Sequence, residues 1–600
     1  MGALDSPQRP ARISGPTLLL LLIVLLFAAF SIRLWYLQVY KYDFYAERSQ
    51  DNRTRQSTLF SPRGTIWDRD GILLAENVPA YALALVREEC PDIPRTLDQV
   101  ALWTGQPRAD LQKAFDLGKK RVKPFDEQVI VPNISFDLVA TVEAHHQEWP
   151  GLVIVVRPKR YYAYGLELAH VLGYVAKANE GELHDDPTLQ LGDDVGKQGI
   201  ELVLEQGLRG EKGLEEFEVD ALGRVLSSRV VSPPVAGEDF FLSVSLSLQQ
   251  AAIKALDNRA GAIVVMDADS GEILSQVSLP SYDPNEFVVG ISQANWDALQ
   301  NNELHPLQNR PVQSTYPPGS VFKLLVAGLA LEKGLITPTS SVYCTGKYTL
   351  GQREFRCWKR GGHGKVDLLK SLRESCDVYY YAAGERLGVD TIHDYAVQCG
   401  FAEKTGIELP HERSGNIPSS AWKLKRFGER WQKGETLNFS IGQGHTLTTP
   451  LQIARFTAAL VNGGHLVRPT LLRTKTPEIV GALPMSAQTR TLILDAMVAT
   501  VEEDRGTARL IRRPGVRIGG KTGTAQVVKL MDQYEKKQTH EIPYRFRDHA
   551  WLASFAEKDG RRYVVVVMIE HGGHGGADAG PVAGAIFDAI FSAQSELQGQ

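Results

Sequence analysis

Cysteine is scarce in this chain: five in 600 residues, at positions 90, 344, 357, 376 and 399. That density excludes a disulfide-stapled scaffold and leaves an ordinary hydrophobic core to hold the fold. A surplus of charge is also missing. Sixty-six Lys and Arg face 70 Asp and Glu, a formal net charge of −4, so the chain carries no basic footprint and nucleic acid is excluded as a partner. Long apolar runs are nearly absent: residues 17–36 alone could cross a bilayer, while residues 564–568 are far too few and read as a buried strand. What remains is globular composition, 43% hydrophobic and 23% charged, at a length that calls for several domains.

The 17–36 run is interrupted only by Ser31 and Arg33. As a helix it spans about 30 Å, one hydrocarbon core. Trp35, Tyr36, Tyr40 and Tyr42 follow as an interfacial aromatic belt, and Arg33 can snorkel to the surface. Ala28-Ala29 gives a cleaved signal peptide some substance, but the apolar run continues past it, which favours a retained anchor. Arg9 and Arg12 precede the span and Arg33, Lys41 and Arg48 follow it, so flanking charge does not choose an orientation.

Residues 37–245 read as a mixed region of short β-rich runs such as 82–86 and 153–156. Within it, residues 63–75 look like a hairpin at Asp70-Gly71, and 196–201 with 208–210 look like a loop and short helix without evident chemistry. After Ser245 the pattern changes. A helix over 247–256, with Ser247 and Gln250 at capping-box spacing, precedes strands at 261–267 and 273–277 around the turn Asp269-Ser270-Gly271. Strands at 516–528, 550–556 and 563–569 and a closing helix over 582–592 complete an antiparallel sheet with helices against it, an α+β fold. Residues 438–444 read as a glycine-rich loop; no Gly-Lys-Ser/Thr follows, which argues against a phosphate cradle.

Ser320 carries the chemistry. In the run from Ser314 to Lys323 it follows the breaker cluster Pro317-Pro318-Gly319 and precedes an apolar helix that Gly334 can end. Lys323 lies three positions on, on the same helix face, so its amine can reach the serine hydroxyl. A helix N-terminus at Ser320 also favours a developing oxyanion. Ser-x-x-Lys by itself is common. Two later signals change its weight: Ser375-Cys376-Asp377, and Lys521-Thr522-Gly523-Thr524 on a predicted strand. In this order the three form the signature of penicillin-interacting serine acyltransferases.

Cys344, Cys357, His363 and Cys376 crowd into 33 residues. Three thiols and an imidazole match a structural zinc site of the Cys₃His kind. A disulfide, with Cys399 as another possible partner, and buried free thiols are the competing readings.

With these residues assembled, the chain resembles a class B penicillin-binding protein. The resemblance extends to residues 63–75, 196–213, Ser281-Tyr282-Asp283-Pro284-Asn285, residues 441–444 and Arg547-Asp548-His549, and Ser-x-Asp at the second motif is similar to the elongation-specific branch. It implies a tail over 1–14, cytoplasmic, a transmembrane helix over 15–36, a non-catalytic pedestal over 37–245, a transpeptidase domain over 246–595 and a tail over 596–600. The implied activity is D,D-transpeptidation of peptidoglycan stem peptides at the outer face of the inner membrane, with β-lactams as inhibitors. Ser320 is then the nucleophile, Lys323 its base, Ser375 the relay to the departing D-alanine, and Asp377 their support. Lys521 faces the substrate carboxylate, Thr522 and Thr524 donate hydroxyls, and Gly523 admits the substrate backbone. No cofactor is required for the chemistry. The implied partners are a multi-pass polymerase of the shape, elongation, division and sporulation family and the elongation machinery. A β-lactamase or a membrane β-lactam sensor shares the motifs. The first needs a placed base for water; the second usually needs several spans and a cytoplasmic effector.

Overall fold

The computed structural model describes residues 14–46, 54–119, 122–190, 192–220, 225–474, 476–527 and 541–598. Arg9, Arg12, Arg48 and Val528, named above, lie outside them. The chain forms two compact units, one of residues up to Ser61 with Gly210–Ala236, the other of Pro62–Arg209 with Gly237–Gln600.

In the first unit, helix α1 (Gly15–Trp35) continues as a wider turn, Tyr36–Tyr40. The stretch has a mean hydropathy of 2.6 and none of its apolar window is buried, so it is long and apolar enough to cross a membrane. Thr54–Leu59, Gly213–Val219 and Val225–Ser232 form a three-stranded antiparallel sheet.

The second unit opens with the expected hairpin: Ile66–Trp67 pairs with Leu73–Leu85, which is flanked by Gln128–Ile134 and Leu152–Tyr162. Two acids found there were not given roles from sequence. Asp68 accepts from the amides of Asp70 and Ile72 with one oxygen and from Leu246 N–H with the other, at 2.7–3.0 Å, so it shapes its own turn and caps a helix 178 residues away. Glu201, in the segment read as lacking chemistry, is fully buried between Arg63 Nε at 2.7 Å and Arg160 Nε at 2.6 Å. It is a structural ion-pair centre, since an unpaired charge there would be strongly destabilising.

Helix α2 (Leu246–Leu256) begins at the Ser245 N-cap, one turn-edge earlier than the capping-box spacing of Ser247 predicts. Ser245 Oγ donates instead to Asp70 Oδ2 at 2.8 Å, and Asp68 satisfies the first helical amide. Five antiparallel strands follow: β1 (Gly261–Asp267), β2 (Ile273–Leu279), β3 (Arg517–Ala525), β4 (His549–Lys558) and β5 (Arg561–Ile569), in the order β2-β1-β5-β4-β3. Alternation places Val564, Val566 and Met568 of β5 in one core and Val565, Val567 and Ile569 in the other. Helices cover both faces. α2 and the last helix, Gly580–Gln598, pack on the second core, and helix α3 (Lys323–Glu332) on the first. This is why β5 reads as a continuous apolar run. β3, with the third motif, lies at the edge of the sheet.

Candidate active site

Ser320 does not begin an α-helix. Gly319–Phe322 forms a 3₁₀ turn and α3 starts at Lys323. Positions i and i+3 eclipse in a 3₁₀ helix, yet Lys323 Nζ hydrogen-bonds to Ser375 and Asp377 rather than to the Ser320 hydroxyl. Backbone approaches hold this turn on two sides. Gly319 N–H donates to Gly442 O at 3.0 Å. Gly319 itself has φ +54°, and a Cβ there would lie 2.6 Å from Thr524 O. Gly442, at φ +71°, would put a Cβ 2.3 Å from Gly319 O. The run 438–444 is therefore not a loop throughout: it starts inside the helix Lys433–Ser440, and its glycine turn braces the turn bearing Ser320. Gln443 Nε2 donates to Thr524 O at 3.0 Å, tying the same turn to β3.

The second motif sits where helix α4 (Leu368–Arg373) meets helix α5 (Asp377–Leu387). Ser375 holds φ +54°, an uncommon conformation for a residue with a side chain. It meets both lysines. Lys521 Nζ donates to Ser375 Oγ at 2.9 Å, and Lys323 Nζ lies 3.3 Å from the same oxygen and 3.0 Å from Ser375 O. A serine hydroxyl has two acceptor sites and one proton. With two lysine amines donating to its lone pairs, Ser375 directs its own proton away from them. Lys323 completes its set with Asp377 Oδ1 at 2.6 Å, and Asp377 Oδ2 accepts from Trp358 N–H at 2.8 Å.

Both lysines are 0% exposed. Burial pushes the Lys521 ammonium well below the ordinary lysine value and the charge of Lys323 adds to this, Asp377 opposing. Burial also raises the Asp377 carboxyl, with Lys323 pulling it back down. Ser320 is only half-buried. The arrangement is thus an accessible hydroxyl beside a sealed Lys-Ser-Lys-Asp cluster, a set built for acyl transfer through serine.

Along β3, Lys521 faces Ser375, whereas Thr522 Oγ1 lies 2.7 Å from Thr507 Oγ1. Gly523 has a packing reason of its own: a Cβ would meet Pro318 O at 3.0 Å and Trp551 Cβ at 2.9 Å, so the glycine admits the turn bearing Ser320. Thr507 and Trp358 were missed from sequence, since neither carries a local pattern, and Gln443 was given no role although it lies in the 441–444 block.

Cys344, Cys357, His363 and Cys376 come together, all buried, with their ligand atoms within 4.8 Å of one another. Cys344 Sγ and Cys357 Sγ each lie 3.6 Å from His363 Nδ1. The five cysteines are unbridged, and Cys399 is not in the cluster.

This fold and site define a penicillin-binding acyltransferase. A model of the penicillin binding protein transpeptidase domain matches residues 261–592, and one of the penicillin-binding protein dimerisation domain matches residues 58–242. The chain belongs to the class B penicillin-binding proteins, and within them its relatives are of the penicillin-binding protein 2 kind. It is 34% identical over 589 residues to the peptidoglycan D,D-transpeptidase MrdA of Haemophilus influenzae, covering 94% of this chain and 90% of that protein. Penicillin-binding protein 2 of Helicobacter pylori, solved in complex with MreC, is 31% identical with a TM-score of 0.80, covering 90% of this chain and 99% of that one. A chain from a peptidoglycan synthase complex that coordinates polymerization and crosslinking is 30% identical with a TM-score of 0.71, covering 95% and 97%.

Proposed function

We propose that this chain is a peptidoglycan D,D-transpeptidase of cell-wall elongation, working through an acyl-enzyme on Ser320. The observation that carries the reading is the Ser375 hydroxyl held by two buried lysines beside an accessible serine. Ser320 Oγ attacks the carbonyl of the penultimate D-alanine of a stem peptide, and Lys323, reacting as the neutral amine after passing a proton to Asp377 Oδ1 at 2.6 Å, takes the hydroxyl proton. The C–N bond breaks and the leaving D-alanine amine takes a proton through Ser375, whose lone pairs are occupied by the lysines. An acceptor amine then attacks the ester and returns Ser320 to its hydroxyl form. Asp377 positions Lys323. Lys521 supports Ser375 and supplies positive charge toward the terminal carboxylate, with Thr522 and Thr524 as hydroxyl donors. A β-lactam opens on the same serine and its acyl group remains attached.

The chemistry needs no cofactor. In this reading Cys344, Cys357, His363 and Cys376 hold a structural zinc that fastens the second motif to the loop carrying the other three ligands. A tetrahedral zinc with ordinary bond lengths has a sulfur-to-nitrogen edge of about 3.6 Å, and the spacings from His363 Nδ1 agree with that. A disulfide would need sulfurs about 2.05 Å apart.

Residues 1–14, 15–36, 37–245 and 246–595 serve as cytoplasmic tail, anchor, pedestal and transpeptidase domain, with 596–600 as tail and the catalytic part in the periplasm. Glycan strands come from a separate multi-pass polymerase. The relatives solved with MreC and within a synthase complex support elongation partners of these kinds. Intact-mass analysis after penicillin treatment tests the core of the reading: one adduct on Ser320, lost in Ser320→Ala, is expected. An adduct retained by that variant would refute it.

A further inference from the structure

Trp358 stands one residue after Cys357 and is 58% exposed, the profile of an unremarked surface aromatic. Its polar atoms are spent inward. The indole N–H is shared between Ser375 O at 3.0 Å and Glu374 O at 3.2 Å, and the backbone N–H reaches Asp377 Oδ2 at 2.8 Å. One residue thus addresses two of the three positions of the second motif and the residue just before it. Lys323 Nζ also donates to Ser375 O, so this carbonyl is gripped from two sides, by Lys323 and by the indole. The grip falls on a peptide whose serine holds φ +54°. A residue in that conformation persists where its surroundings over-determine it.

We propose that Trp358 is a positioning residue of the acylation step: its indole N–H fixes the Ser375 peptide plane so that the Ser375 hydroxyl meets Lys323 and Lys521 together. The backbone bond to Asp377 sets the carboxylate that holds Lys323, and the T-shaped contact of the indole with His363, 5.5 Å between centroids, steadies the ring. Loss of the indole donor leaves the motif's residues in place and loosens their mutual geometry. Misplacement of that sort slows a chemical step more than it weakens binding.

This inference rests on the transpeptidase reading and is tested with the full chain by stopped-flow acylation with a reporter penicillin, which separates the dissociation constant from the acylation rate constant. Two variants remove the donor: Trp358→Phe, and replacement of Trp358 by benzothienylalanine, which keeps the bicyclic shape and exchanges N–H for sulfur. The expected result is an acylation rate constant lowered about tenfold in both, with the dissociation constant within twofold of wild type and the melting temperature and metal content unchanged. A rate constant within twofold of wild type overturns the proposal. So does a raised dissociation constant at unchanged rate, which would make Trp358 a substrate contact, or a rate loss that only parallels a lower melting temperature. Absence of label on wild-type Ser320 would instead sink the functional reading itself.

Discussion

Asp377→Asn is the most searching perturbation of the site, because the near-isosteric change cannot be accommodated in either orientation. The two carboxylate oxygens each face a donor, Lys323 Nζ at 2.6 Å and Trp358 N–H at 2.8 Å. An asparagine presents one oxygen and one NH₂, so whichever way the amide turns, one donor meets a donor. The change also leaves Lys323, 0% exposed, as an ammonium without its counter-charge. Breaking a buried ion pair from one side costs about 3–5 kcal/mol. Lys323 keeps its contacts to Ser375 O and Oγ, which places the expectation at the lower end. A penalty of about 3 kcal/mol expressed in the transition state is roughly a hundredfold in rate. Stopped-flow acylation by penicillin at neutral pH, run beside thermal unfolding, should show that loss together with a lower melting temperature. A variant that acylates within threefold of wild type and melts where it does would refute the claim that this carboxylate holds the lysine.

Gly319→Ala should slow acylation at least tenfold, because the new Cβ meets backbone atoms of Thr524 at a positive-φ position; wild-type kinetics would show that the turn yields freely. His170 is buried and its imidazole is pushed down to about 4, so between pH 6.5 and 4 the unfolded chain binds a proton that the folded chain refuses, and stability falls as the pH falls through that window. The term amounts to at most about 3 kcal/mol, and His170→Phe should flatten the dependence of melting temperature on pH there; identical slopes would count against the assignment. Removing bound metal with a chelator should lower the melting temperature and slow acylation while Ser320 still labels. Protein purified without chelator that contains no zinc would end the metal reading.

The sheet was legible because its strands are set by period and burial. The 261–267 strand falls where its apolar run predicts, and the others end within a few residues of the expected limits, where pairing rather than composition decides. The gathering of Cys344, Cys357, His363 and Cys376 was legible from residue type, though neither its buried setting nor its spacing was. Thr507, Gln443 and Asp68 were not legible. Each acts on a partner 15, 81 or 178 residues away, and no spacing rule connects them. Gly523 shows a subtler limit: sequence marked a close approach, and only the packing adds that the turn bearing Ser320 makes one.

The three motifs differ in how much of their geometry they carry with them. The first encodes most of its own, since a 3₁₀ turn puts positions 320 and 323 on one face, though Gly442 and Thr524 brace that turn from outside. The third encodes half, since strand alternation turns Lys521 toward Ser375 while Thr522 turns to Thr507. The second encodes almost none. Ser375 stands at φ +54° between two helices, and what keeps it there comes from Lys323, Lys521 and the loop bearing Cys344, Cys357, Trp358 and His363. A Ser-x-Asp in a sequence therefore says that a proton relay can exist, and the surrounding loop decides whether it is aligned. That places rate control of this acyltransferase partly outside its signature residues, in a segment that touches no reacting atom.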